Sequence, residues 1–184
     1  SPQHLVWRDA EQILPTAPDL VFALVRDPAT RMMSEYRYQR RYRRGTWAGR
    51  AFALLHIPIW IRVMLAVAQR NPYAFDNHLR PQSDFIPVHA RVFRLEDGIG
   101  PVVDWLGQVT QTGDLAVPPQ MLKTAPGPRP ALGTLALIGA VFAEDYARFG
   151  YTTPTPPALP RRALDRLVTC VARGVVALER RGLL

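Results

Sequence analysis

The chain has 184 residues, 48% of them hydrophobic, which suits one globular domain and excludes an intrinsically disordered segment. Its formal charge of +8 implies an anionic partner: a nucleotide, a nucleic acid, a sulfated or phosphorylated substrate, or a membrane surface. A single cysteine, Cys170, excludes an intramolecular disulfide and a cysteine metal cluster, and fits a reducing, cytoplasmic compartment.

No signal-peptide pattern follows Ser1. The most apolar stretches, "AFALLHIPIWI" and "PALGTLALIGAVFA", fall short of the roughly 20 residues that cross a bilayer, so no membrane span is expected. "DAEQIL" predicts a short helix capped by Asp9. Val21 to Val25 is a continuous β-favouring run, the pattern of a strand covered on both faces in a parallel sheet. Asp27 can cap the next helix and Pro28 suits its first turn, where a missing N–H is no loss. That helix should run to about Arg44. A second helical region, Arg50 to Gln69, should break or kink near Pro58.

"NPYAFDNHLRPQSDFIP" reads as a loop from its proline and asparagine content. "ARVFRL" predicts a second strand, and "GIGPVVDWLGQV" a short helix behind it. Residues 112–130 are Gly- and Pro-rich loop. "LGTLALIGAVFAEDYARFG" predicts one helix that Gly150 ends. Residues 151–160 form a Pro-rich linker to an amphipathic C-terminal helix over 161–181, so the whole of 1–184 reads as one domain. Two strands among this many helices make a poor open sheet, since such sheets usually hold about four to six. The expected fold is therefore α/β, helix-rich, around a central parallel sheet with further strands upstream of Ser1.

Charge is concentrated at the first strand–helix junction. Residues 26–50 hold eight arginines against Asp27 and Glu35, a net +6. Arg26 stands at the carboxyl end of the first strand, the edge where open α/β sheets bind ligands. Ser34 lies two turns along the next helix, three residues after Arg31. A guanidinium fork at the strand tip and a hydroxyl on the helix can grip one phosphate from two sides. The alternative is that Arg26 pairs with a core carboxylate and Ser34 is helix filler.

Arg26-Asp27-Pro28-Ala29-Thr30-Arg31-Met32-Met33-Ser34-Glu35-Tyr36 resembles the 3′-phosphate-binding motif of sulfotransferases. Three later segments resemble landmarks of the carbohydrate-type members, in the same order: "DNHLRPQSDFI" (76–86), "VFRLEDG" (92–98) and "FAEDYARFGY" (142–151). The resemblance spans residues 20–151. It implies a P-loop-NTPase-like three-layer sandwich, with 3′-phosphoadenylyl sulfate (PAPS) as sulfuryl donor, adenosine 3′,5′-bisphosphate (PAP) as product, and no metal. It implies that Arg26 and Ser34 hold the donor's 3′-phosphate, and Lys123, the chain's one lysine, falls in a loop that family members use near the donor or acceptor. The family's 5′-phosphosulfate loop has no match in the 184 residues, and is expected upstream together with the missing strand.

Transfer to an acceptor hydroxyl needs a base, and imidazole suits that at neutral pH. His4 precedes Arg26 by 22 residues, which resembles the placement of the catalytic histidine in uronyl 2-O-sulfotransferases. The alternative for His4 is a frayed end with no role. His78 and Arg80, in a polar loop with Gln82, are candidates for contacting a sugar acceptor, or for locking their loop. Glu96 reads as structural, orienting a helix N-terminus or Arg26, and Asp145 and Tyr146 as packing the last core helix. Arg37 to Arg44 form a basic face suited to an acidic glycan or to solvent. Two other functions compete. Tyr36, Tyr38, Tyr42 and Trp47 interleave with arginines as in a nucleic-acid or polyanion-binding module, although no helix-turn-helix, ribonucleoprotein or zinc pattern accompanies them. The third possibility is an inactive sulfotransferase-like scaffold.

Overall fold

The computed structural model describes residues 4–42, 45, 47–113, 115–117, 130–155 and 162–183. Ten elements follow in chain order: α1 (Trp7–Ile13), β1 (Phe22–Val25), α2 (Pro28–Tyr42), α3 (Trp47–Ala53), α4 (Ile57–Arg70), β2 (Arg91–Arg94), α5 (Gly100–Val109), α6 (Leu132–Val141), α7 (Ala143–Arg148) and α8 (Arg162–Arg180). Short 3₁₀ turns occupy Gln82–Phe85 and Leu95–Asp97. The architecture is α/β in the broad sense: helix-rich, with one small parallel sheet.

β1 and β2 pair in parallel, with Phe22 opposite Arg91 and Val25 opposite Arg94. Both strands therefore end at one edge, and the residues that follow them, Arg26 and Leu95, leave the sheet side by side, with Glu96 next after Leu95. Side chains alternate between its faces. On one face Phe22 and Phe93 each lie 5.6 Å from the Trp105 ring of α5. On the other, Val25 is fully buried with Ile86 and Phe149 in a small core of its own. The strand expected to be covered on both faces is only partly so: Phe22 is 42% exposed. Among the described residues β1 has no neighbour on its other edge.

The main core is helical. Trp60, Ile61, Val63 and Met64 of α4 are fully buried against Met32 and Tyr36 of α2, Ile138 of α6, and Ala172 and Val175 of α8. α8 lies along α4, as its apolar stripe predicts. Local chemistry sets the helix ends. Asp27 caps α2 through the Thr30 N–H at 2.8 Å, with Pro28 in the first turn. α1 starts after Val6, which places Asp9 inside its first turn, where a negative charge complements the helix dipole, and not at the cap.

The helical region over 50–69 breaks before Pro58, as expected, and Pro58 sits in the first turn of α4, where it starts that helix. The long apolar helix breaks at Phe142, whose φ −106° and ψ 31° leave the helical range. The break buries Phe142 and turns Asp145 into the interior. Gly150, at φ +66°, ends the segment as expected.

The largest departure is the segment over 71–87. Its composition predicts a surface loop. Instead Ala74, Phe75, Asn77, Leu79, Gln82, Ser83 and Ile86 are buried. A buried irregular backbone must find partners for its polar groups, and four side chains from elsewhere supply them. Arg31 donates to the carbonyls of His78 (2.9 Å) and Arg80 (2.6 Å). Asp145 accepts from the N–H groups of Gln82 and Ser83, both at 2.8 Å. Arg148 donates to the carbonyls of Ser83, Ile86 and Pro87. Glu179 of α8 accepts from the Phe75 N–H.

Candidate functional site

The four segments that carry the sulfotransferase resemblance meet at the turn between β1 and α2. The Gln82 side chain pairs with the Arg26 backbone as a strand would, accepting from its N–H (2.9 Å) and donating to its carbonyl (2.8 Å). Gln82 is itself held by Asp145, which is fully buried. Glu96, two residues beyond β2, accepts from the Asp27 N–H at 2.9 Å, and its other oxygen accepts from the Tyr151 hydroxyl at 2.8 Å. Glu96 thus orients the α2 N-terminus. Tyr146 and Tyr151 hold their phenol protons more tightly than usual, because burial disfavours the phenolate, with Asp27 adding to the effect at Tyr146 and the Glu96 bond at Tyr151.

The backbone of Arg26 is fixed, but its half-buried side chain makes no hydrogen bond or ion pair among the described residues. The Ser34 hydroxyl, half-buried on α2, has none either. Ser34 lies seven positions after Asp27, about 10 Å along the helix axis, a gap that an extended arginine and a phosphate between the two can bridge. Arg31, by contrast, is half-buried and committed to the 78–80 backbone. Burial lowers its pKa, while the charges of Asp145 and Glu35 act the other way.

A second cluster lies along α2 at Glu35. His78 Nδ1 is 3.1 Å from Glu35 Oε2, and His4 Nδ1 is 2.8 Å from Asp76 Oδ2. The two imidazole rings touch edge to face, 4.5 Å between centroids. An ionised carboxylate only accepts, so each Nδ1 carries a proton and each Nε2 is left with the lone pair when its ring is neutral. Burial pushes the Glu35 carboxyl up, but hydrogen bonds from His78 and Gln39 and the charges of His78 and Arg31 outweigh it and hold the carboxyl below its ordinary value.

The structure therefore brings His4 and His78 together, with His78 on Glu35 of α2, a proximity their distance in sequence does not suggest. Arg80 is engaged within its own segment. It pairs with Asp84 at 2.8 Å and lies 5.2 Å over the Tyr73 ring, with Nη1 buried and unpartnered. Lys123 lies outside the described residues, as do Arg43 and Arg44 of the basic face. Of the interleaved aromatics, Tyr36 is buried against Trp60 (5.2 Å), where it cannot stack on a base, while Tyr38 is 46% exposed. Arg40 folds back to donate to the Tyr36 hydroxyl at 2.7 Å. Among the described residues no three His, Cys, Asp or Glu side chains group as metal ligands, and no helix is long and apolar enough to cross a membrane.

Sequence reasoning missed Asp76 and Glu35 as partners of the histidines. Asp76-Asn77 was the available signal, since these residue types tolerate the left-handed backbone that turns a side chain sharply. No family model matches the chain, and no curated protein or solved structure is significantly similar to it.

Proposed function

We propose that the protein is a PAPS-dependent sulfotransferase that moves a sulfuryl group to a hydroxyl of a carbohydrate or other small acceptor. The observation that carries this is the Arg26 turn: its backbone is locked by Gln82 and Glu96 from two remote segments, while its guanidinium has no partner among the described residues. A structural arginine would be expected to find a carboxylate, and Arg31, Arg80 and Arg148 nearby are each engaged. In this reading Arg26 and Ser34 take the donor's 3′-phosphate by charge-assisted and neutral hydrogen bonds, aided by the α2 N-terminus. His4 Nε2 takes the acceptor's hydroxyl proton as that oxygen bonds to sulfur. The bond from sulfur to the donor's phosphate oxygen breaks with its electron pair, releasing PAP, and the imidazolium then loses its proton to water. His78 faces the acceptor beside it, Arg80 holds the loop that carries His78, and Lys123 remains a donor-side candidate.

The finer fold belongs to the same proposal: a P-loop-NTPase-like three-layer sandwich. Nothing in the 184 residues matches the loop that cradles the 5′-phosphosulfate. A strand–loop–helix added along the open edge of β1 would supply that loop and cover Phe22. A cytoplasmic setting, on the evidence of the lone Cys170, and an acidic glycan as acceptor complete the reading.

Calorimetric titration with PAP tests it. The expected result is saturable binding that Arg26→Ala weakens at least about 100-fold, the loss of a paired charge-assisted contact. Ser34→Ala should weaken it about 10-fold. Absence of PAP binding, or binding indifferent to Arg26, overturns the proposal. Binding without sulfuryl transfer to any of a panel of glycans and alcohols would instead identify an inactive scaffold.

A further inference from the structure

Phe75, Asp76 and Asn77 have φ of 53°, 54° and 68°. A single non-glycine residue in this region is uncommon, a bulky one such as Phe75 is an outlier, and three in succession make a left-handed turn that the chain avoids unless surrounding contacts impose it. Those contacts are present. Phe75 is buried and stacked on Phe52, 6.3 Å between centroids, and its N–H is held by Glu179 from the far end of α8. The turn then grips one residue twice. Asp76 accepts from the His4 imidazole at 2.8 Å, and the Asn77 side chain donates to the His4 carbonyl at 2.7 Å. Fixing both the main chain and the ring of His4 is more than is needed to tether the segment before α1, and backbone strain of this kind gathers where geometry serves chemistry.

We propose that Asp76 is the positioning residue for His4, carried on a strained left-handed turn so that His4 keeps its proton on Nδ1 and presents Nε2 to the acceptor hydroxyl. The proposal rests on the sulfotransferase reading of His4 as base and adds the residue that makes it one. Asp76 acts through His4: its carboxylate selects the tautomer, and stabilises the imidazolium once the hydroxyl proton has arrived.

The variant that separates this role from a structural one is Asp76→Gly. Glycine adopts the positive φ without strain, so the change relaxes the backbone while deleting the carboxylate. Expected are a Tm within about 3 °C of wild type and a kcat lowered at least about 10-fold, with the PAPS KM unchanged. Proton–nitrogen correlation NMR of the imidazoles should show the His4 proton on Nδ1 in the wild type, and on Nε2 in the variant. In a His4→Ala background, Asp76→Gly should lower kcat no further, because a positioning residue has nothing left to position. A wild-type His4 protonated on Nε2, an unchanged tautomer in Asp76→Gly, or additive losses with His4→Ala would each overturn the inference. PAP titration of the wild type fails only if the sulfotransferase reading fails, and the tautomer measurement decides the Asp76–His4 relation independently of that result.

Discussion

Around Trp60 the molecule is closed by apolar side chains from α2, α4, α6 and α8; around Arg26 it is closed by hydrogen bonds between residues far apart in sequence. The first region gains its stability from area removed from water, which is non-directional and tolerates exchange of one aliphatic side chain for another. The second gains it from donors and acceptors whose geometry is specific, where deletion of one partner leaves the other buried and unpaired. A region of the first kind holds a shape. A region of the second kind holds atoms in place, and here it leaves the Arg26 guanidinium without a partner among the described residues.

The most severe test of this contrast is Asp145→Ala. It removes few apolar atoms, so a ledger of buried area assigns it little cost. It also strips partners from two buried N–H groups, at about 1–3 kcal/mol each. The expected loss is about 3–5 kcal/mol, equal to that of Trp60→Ala in the helical core, and measurable by urea denaturation. A loss below about 1 kcal/mol would show that the junction is not held as described.

Arg26→Ala should do the opposite. Because the guanidinium has no partner among the described residues, stability should stay within about 0.5 kcal/mol of wild type, while the PAP contact loses about 3 kcal/mol by the mechanism above. A destabilised Arg26→Ala protein would mean that this side chain belongs to the fold after all.

Gly150→Ala probes the seam between the two regions. Gly150 sits at φ +66°, and a Cβ there would come within 2.5 Å of Arg94 Nη2, the atom that donates to the Gly150 carbonyl. The terminal guanidinium can swing aside, so the cost is mainly the left-handed backbone of an L-residue, about 1–2 kcal/mol. Thermal unfolding reads this directly.

The same contrast explains what could be seen in the sequence. Both strands, the α2 start at Asp27 and Pro28, the Gly150 stop and the α8 stripe follow from local rules: capping, backbone preference and apolar period. Arg26 and Ser34 stood out through charge placement and a motif. The burial of residues 71–87 was not legible, because it depends on Arg31, Asp145, Arg148 and Glu179 arriving from other elements to satisfy its backbone. Nor was the pairing of His4 with His78, which takes a left-handed turn 70 or more residues away to create. Composition describes a segment by itself, and these features belong to relations between segments.

The smallest expected effect concerns Glu35, at the border of the two regions. Its carboxyl faces His78 and Gln39 and feels Arg31, and despite burial it is held below its ordinary value of 4.5. A carboxyl held lower in the folded than in the unfolded state makes folding favour the ionised form. The stability it contributes is fully present above the ordinary carboxylate range, and is lost as pH falls through the folded value. Glu35→Gln keeps the shape and removes the titration. At neutral pH it should cost no more than about 1 kcal/mol, since the charge-assisted bonds weaken and the burial of a charge is relieved at the same time. Below about pH 5 the difference between variant and wild type should shrink, so that Tm falls less steeply with acid in the variant. Parallel acid limbs would mean that Glu35 is not favoured in its ionised form by folding, and that the His78 pair is an incidental contact along α2.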